Sequence, residues 1–199
     1  MEAELEIRIN ANGQNKKEVY LVFWIWSVPE DYPNNRIGEY IEGSGTDRFL
    51  FREGKKLLKE EVVSPKIIFE CDEKYLYDVL PNNGFLLIVS EKVIEILNEN
   101  CPDDIQIFEA SVYAKNGRVP NYFLLNVLNS IEVLDKVESK YTTIRGTDAI
   151  LSLDKIVYKG NLEHHYHILR NKDYKSHVLV SDSIKTAFEK KRVKGVQFE

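Results

Sequence analysis

Cysteine, histidine and methionine are scarce in this chain of 199 residues, which has two, four and one of them. Cys71 and Cys101 stand too far apart for a Cys-x-x-Cys redox or zinc motif, so both read as structural thiols of a reducing compartment. No complete nucleophile, metal or phosphate-binding motif occurs, which removes the usual signatures of hydrolases, metalloenzymes and nucleotide binders. The longest apolar run, Val19 to Trp26, falls far short of the ~20 residues of a membrane helix and reads as a fully buried strand. The opening Met1-Glu2-Ala3-Glu4-Leu5-Glu6 is acidic where a secretory signal needs positive charge and an apolar core. The expected location is the cytoplasm.

What is present describes an ordered globular protein. Hydrophobic residues make up 43% and charged residues 30%, with no low-complexity segment, so a core can form without disulfides. The net charge of -5 is unevenly placed: residues 1–110 hold 22 acids and 12 bases, and residues 111–199 hold 10 acids and 15 bases. Sign segregation of this kind steers an oppositely charged partner, and the acidic half speaks for a basic protein and against nucleic acid. It divides the chain into an acidic N-terminal lobe, 1–115, and a basic C-terminal lobe, 116–199, within one compact unit.

The chain also nearly repeats itself. Leu87-Ile88-Val89-Ser90-Glu91-Lys92-Val93 is echoed by Val178-Leu179-Val180-Ser181-Asp182-Ser183-Ile184. The first copy runs on to Ile105-Gln106-Ile107-Phe108-Glu109 and the second to Gly195-Val196-Gln197-Phe198-Glu199, so the echo spans strand, helix and strand. Ser90 and Ser181 read as N-caps whose hydroxyls serve the free amides of the next helix, and neither sits in a Gly-x-Ser-x-Gly elbow. Elsewhere Lys74 to Leu80 reads as a helical turn closed by Pro81, Asn116-Gly117 opens a hairpin, and Tyr122 to Leu128 is strand-like. Phe49 to Glu61 fits either an amphipathic helix or an extended piece. The sum is an α+β protein of mixed, mostly antiparallel sheets with a few short helices and two related lobes.

Ser27 to Asp47 is a long loop punctuated by proline and glycine, and loops of this length in compact domains carry function or are disordered. It holds Glu30, Asp31, Tyr32, Glu39, Tyr40 and Glu42, acids that steer and tyrosines that anchor, and is the expected partner-binding surface. Further acidic pairs, Glu60-Glu61, Asp72-Glu73 and Asp103-Asp104, read as solvated, with the last as the second choice of interface. Of Trp24 and Trp26, which alternate in an apolar strand, at least one belongs to the core. The basic run Lys190-Lys191-Arg192-Val193-Lys194 reads as a helix end, where cations complement the dipole. Glu163, His164, His165 and His167 form the one dense cluster of potential metal ligands, with His177 or Asp173 as an outside third ligand. Their spacing puts His164 on the opposite strand face, so neither a metal nor another cofactor is expected.

Several segments, in order, carry a resemblance. Val19 to Trp24, Pro65-Lys66-Ile67-Ile68, Leu76 to Val79 and Val89-Ser90-Glu91 resemble the immunity proteins of bacterial polymorphic toxin systems. So do Asn121 to Asn129 with Asp135, and Val180-Ser181-Asp182 ending in Gly195-Val196-Gln197-Phe198. The resemblance implies a non-enzymatic inhibitor of bacterial competition that stays in the producing cell and neutralises a cognate cytosol-acting toxin, first of all a nuclease. Two other classes stay open on the residues alone: a small metal-dependent enzyme using His164, His165 and His167, and an adaptor or chaperone of a secreted effector.

Overall fold

The computed structural model describes residues 7–9, 15–17, 22–159 and 166–199. Two sheets share one plan. In the first, the strand Leu87–Ser90 leads into helix α1, Glu91–Asn100, and then into the strand Ile105–Glu109. In the second, Val178–Ser181 leads into helix α2, Asp182–Lys190, and then into Gln197–Phe198. Neither unit is closed by itself, because its two strands are separated by one strand width. Tyr122–Val127 fills the first gap, antiparallel to both neighbours, and Phe23–Ser27 fills the second in the same way. A further strand joins each set, Val79–Leu80 on the first and Ile168–Asn171 on the second, where Ser130–Ile131 adds a parallel edge strand.

The echo is therefore structural, with one amendment to its end. Asn126 pairs with Gln106 and Ser27 with Gln197, so Gln106 corresponds to Gln197 and Ile107 to Phe198. Matching the two Phe-Glu endings places the last strand one residue out of register, which in a strand exchanges the faces. The inserted strands also tie residues on either side of position 115 into both sheets.

Both sheets are buried on two faces, which is why their strands read as continuous apolar runs. Val89, Leu125, Val178, Val180 and Trp26 face the helices and pack with Val93, Ile96 and Leu97 of α1 and Ile184 and Phe188 of α2. Trp26 and Phe188 meet edge to face at 5.2 Å. On the opposite face Ile88, Leu124 and Phe108 pack against Ile67, Phe69 and Val112. Ile67 and Val112 belong to a third sheet, which Phe69 directly follows, of four strands in the order Gly117–Val119, Ser111–Ala114, Lys66–Ile68, Glu39–Tyr40. The Asn116-Gly117 hairpin lies at its edge. Leu169 and Leu179 have a smaller cover made by Val133, Ile131 and Tyr158. The remaining strands form two antiparallel pairs, Ile7–Ile9 with Asn15–Lys17 and Lys140–Thr143 with Ile150–Lys155.

Four local expectations change. Val79–Leu80 is a strand, with only the 3-10 turn Glu73–Tyr75 before it, because its amides are claimed by Leu87–Ser90 and by Lys194. Phe49 to Glu61 forms two 3-10 turns, Leu50–Arg52 and Lys59–Glu61, joined by extended chain. Asn126 Nδ2 holds that chain by the Lys55 carbonyl at 2.7 Å, and Gln106 holds it by both backbone groups of Leu57. Ser90 and Ser181 do occupy N-cap positions in extended conformation, but neither hydroxyl caps its helix. The first helical amides donate instead to the inserted strands' approach, Glu91 to the Asn121 carbonyl and Asp182 to that of Val22. The hydroxyls have other partners: Ser90 Oγ donates to Asp78 Oδ1 at 3.2 Å, and Ser181 Oγ lies 3.0 Å from His167 Nδ1. Asp103-Asp104, finally, is not a solvated pair. Asp104 is buried, its carboxylate accepting from Asn129 Nδ2 at 2.8 Å and the His167 amide at 2.7 Å.

Each sheet is joined to the other at both ends. Asp104 fastens the start of the first unit's last strand to Ile168–Asn171. Asp78 does the same on the other side, accepting from the Lys194 amide at 2.8 Å and from Lys92 Nζ at 2.9 Å. Beside it Gly195, at φ +90, leaves no room for a side chain, since a Cβ there falls 2.3 Å from the Val79 carbonyl oxygen.

Two substitutions test these joints in opposite directions. Asp104→Ala strands two part-buried donors and is expected to cost roughly 2–3 kcal/mol. Arg192 sits at φ +52 directly after α2, where the amides of Arg192 and Val193 return to Glu189 and Phe188 in the manner that usually takes glycine. Arg192→Gly is expected to raise stability by about 1 kcal/mol. Chemical denaturation of both variants checks the signs.

Candidate functional site

The segment Ser27 to Asp47 is ordered because it is zipped to the turn Pro81 to Gly84. Gly38 donates to the Pro81 carbonyl at 2.8 Å, Asn83 donates back to Gly38 at 3.0 Å, and the Tyr40 amide donates to Asn83 Oδ1 at 2.7 Å. One 3-10 turn, Asn34–Arg36, and the strand Glu39–Tyr40 shape it. Glu30, Asp31, Glu39 and Glu42 all reach solvent. Tyr32 does not: it is 7% exposed, its ring set edge-on to Tyr77 at 5.5 Å and its hydroxyl donating to the Arg36 carbonyl. Burial, and after it Tyr77, pushes its phenol well above the usual range. Tyr32 fixes the loop to the core.

Tyr40 is half-buried, with the Arg48 guanidinium 5.4 Å from its ring centroid. Beyond it lies an open depression of about 570 Å³ lined by Tyr40, Glu42, Asp47, Arg48, Phe49 and Asn83. Arg48 donates to the Asn83 carbonyl at 3.0 Å and covers Phe49, which is exposed. The segment thus combines four solvent-reaching acids with an arginine–aromatic stack beside Tyr40. Arg48 and Phe49 escaped the sequence reading because they follow the last loop residue and resemble the start of a helix.

The other candidates are scattered. Glu163, His164 and His165 lie outside the described residues. His167 Nδ1 stands 3.0 and 3.2 Å from the hydroxyls of Ser181 and Ser183. His177 Nδ1 is paired with the Tyr158 hydroxyl at 2.9 Å, and Asp173 with Lys136 at 2.7 Å. Among the described residues no three of histidine, cysteine, aspartate and glutamate are grouped to hold a metal ion. Trp26 is core. Trp24 is half-buried, its Nε1 donating to Asp182 at 3.0 Å and its ring carrying the Lys185 ammonium at 3.4 Å. Cys101 is buried, and burial with Asp104 nearby pushes its thiol up to about 12, so it stays protonated and inert at neutral pH.

His177 yields a pH test. Burial lowers its pKa from the ordinary value, against a smaller opposing effect of Glu199. The unfolded chain then binds the proton more readily, so stability is full above the unfolded value of about 6.5 and declines as the pH falls through it. Stability measured between pH 7.5 and 5.5 is expected to drop, and His177→Gln to flatten that drop.

Among the described residues no helix is long and apolar enough to cross a membrane. No curated protein matches the chain. A family model does match, over residues 4–199, and its description is immunity protein family (Imm11). The chain belongs to this family of immunity proteins.

Proposed function

We propose that this protein is a cytoplasmic, non-enzymatic immunity protein of a polymorphic toxin system that binds a cognate, basic toxin and occludes its active or substrate-binding surface. The match to the immunity family over nearly the whole chain carries the reading. The toxin-facing surface is the acidic segment with Glu30, Asp31, Glu39 and Glu42, together with Tyr40 and the adjoining Arg48 and Phe49. Its support is chemical. Four solvent-reaching carboxylates on a strand-anchored segment steer a cationic partner without first having to order a loop, and the aromatic residues beside them hold it once docked. A nuclease fits best among cytosol-acting toxins, because its nucleic-acid groove is positive and the acids mimic the charge it recognises. Tyr32 has no part in the contact, since its ring is in the core.

The test is the triple charge reversal Glu30→Lys, Glu39→Lys, Glu42→Lys, measured against the toxin domain encoded beside the chain. Association is expected to slow at least tenfold at low salt and to lose its salt dependence, while the melting temperature stays within about 2 °C, as for exposed charges far from any buried pair. Unchanged association would remove this segment from the interface. Failure of the wild-type chain to protect cells producing the toxin would remove the function itself.

A further inference from the structure

Where the two sheets meet, a second cleft of about 550 Å³ opens between the strand Phe23–Ser27, the turn after Val79–Leu80 and the strand Ile168–Asn171. Trp26, Val28, Ile37, Phe85, Ile156 and Arg170 line it. Val28, Ile37, Phe85 and Ile156 are all exposed, so four large apolar side chains gather at one opening. Phe85 is 62% exposed and held at φ +54, a left-handed conformation that costs a residue with a side chain and that glycine adopts freely.

Arg170 is the unusual member. It is 3% exposed, and its Nη1 donates to the Lys175 carbonyl at 2.6 Å, while its buried Nε has no partner among the described residues. Among the described residues no carboxylate pairs with it. Burial, and next a second cation, Arg52, pull its pKa down to about 9, which leaves it charged at neutral pH. Arg52 repeats the pattern: its Nε is buried without a partner among the described residues, its Nη2 donates to Ser176 Oγ at 2.9 Å, and it lies 5.6 Å from the Phe85 ring centroid. Two acids of this region are committed elsewhere. Glu53 is paired with Lys175 at 2.6 Å, and Glu199 accepts from Ser27 Oγ and Gln197 Nε2 at 2.7 Å each. An uncompensated buried cation is costly, and natural folds keep one where its partner comes from outside.

We propose that this cleft receives an apolar segment of the toxin that presents one aspartate or glutamate, whose carboxylate pairs with Arg170 while the flanking apolar side chains replace water between Val28, Ile37, Phe85 and Ile156. The inference rests on the immunity reading and adds to it a second contact of opposite charge. A carboxylate fits better than a phosphate group or a nucleic acid, because the cleft offers one buried guanidinium among apolar side chains and not the row of exposed cations that a polyanion takes. A planar carboxylate also matches the fork of a guanidinium.

The experiment compares wild type, Arg170→Met and Phe85→Gly by melting temperature and by affinity for the purified toxin domain encoded beside the chain, with octanoate as a free carboxylate on an apolar tail. Both variants are expected to melt at or above the wild-type temperature, since one loses an unpaired buried charge and the other a strained turn, and both are expected to bind the toxin at least tenfold more weakly. Octanoate is expected to raise the melting temperature of the wild type and not of Arg170→Met. A purely structural Arg170 would give the reverse, a lower melting temperature with unchanged affinity. Wild-type affinity in Arg170→Met overturns the proposal, and so does octanoate that stabilises both proteins alike or neither. If Arg170→Met does not fold, Phe85→Gly with wild-type toxin affinity overturns it equally. A wild-type chain that ignores the toxin but answers to octanoate through Arg170 sinks the immunity reading and leaves the carboxylate chemistry of the cleft standing.

Discussion

Everything in this fold depends on filling two gaps. Each strand–helix–strand unit returns two strands away, so its two strands cannot pair with each other until a third slides between them. For the second unit that third strand is Phe23–Ser27, from the far end of the sequence; for the first it is Tyr122–Val127, which lies beyond the unit. An unfilled gap would leave two rows of buried amides and carbonyls without partners, a cost no small core repays. Neither half of the chain can therefore complete its sheet from its own echoed unit. The long sequence separation of these pairings predicts slow folding for a protein of this size, because loop closure is paid before the contacts form.

The two units share a device with different chemistry. Ser90 and Ser181 stand at the same structural position, and their amides donate to the carbonyls of Asp78 and His167, again equivalent to one another. Their hydroxyls then meet those same side chains. With Asp78 the site becomes a junction that also gathers Lys92 and the Lys194 amide. With His167 it stays a smaller cluster of Ser181, Ser183 and the imidazole. Helix capping and sheet joining compete for one hydroxyl, and in both units the hydroxyl goes to the side chain at the sheet joint.

This competition marks the limit of what the residues disclose. The echo, the helices, the hairpin at Asn116-Gly117 and the α+β class were legible, since each is written in local periodicity or turn chemistry. The strand order was not, because nothing local in Phe23 to Ser27 says that its neighbours are residues 178–181 and 197–198. Asp104 and Tyr32 were misplaced for a related reason: an acid in a Pro-Asp-Asp turn and a tyrosine before a proline both look solvent-facing until a distant strand covers them. At the candidate sites, the acids of the Ser27 to Asp47 segment stood out as a charge run. Arg170 did not, because one arginine in Ile-Leu-Arg-Asn looks like the exposed side of an edge strand, and in a half-buried strand it would be.

The cleft between the sheets follows from the same constraint. Joining two units that were each completed by a borrowed strand leaves a seam, and Asp104 and Asp78 close its ends without filling its middle. Packing could have filled it with apolar side chains, as it fills the spaces around Phe188 and Phe69 with residues nearly or fully out of water. Instead the seam holds a charged guanidinium, a second one beside it and a phenylalanine turned outward in a conformation suited to glycine. Each departure alone has an ordinary explanation. Together at one opening they work against the stability of the isolated chain, and costs gathered at one seam are what a surface shaped for a partner retains.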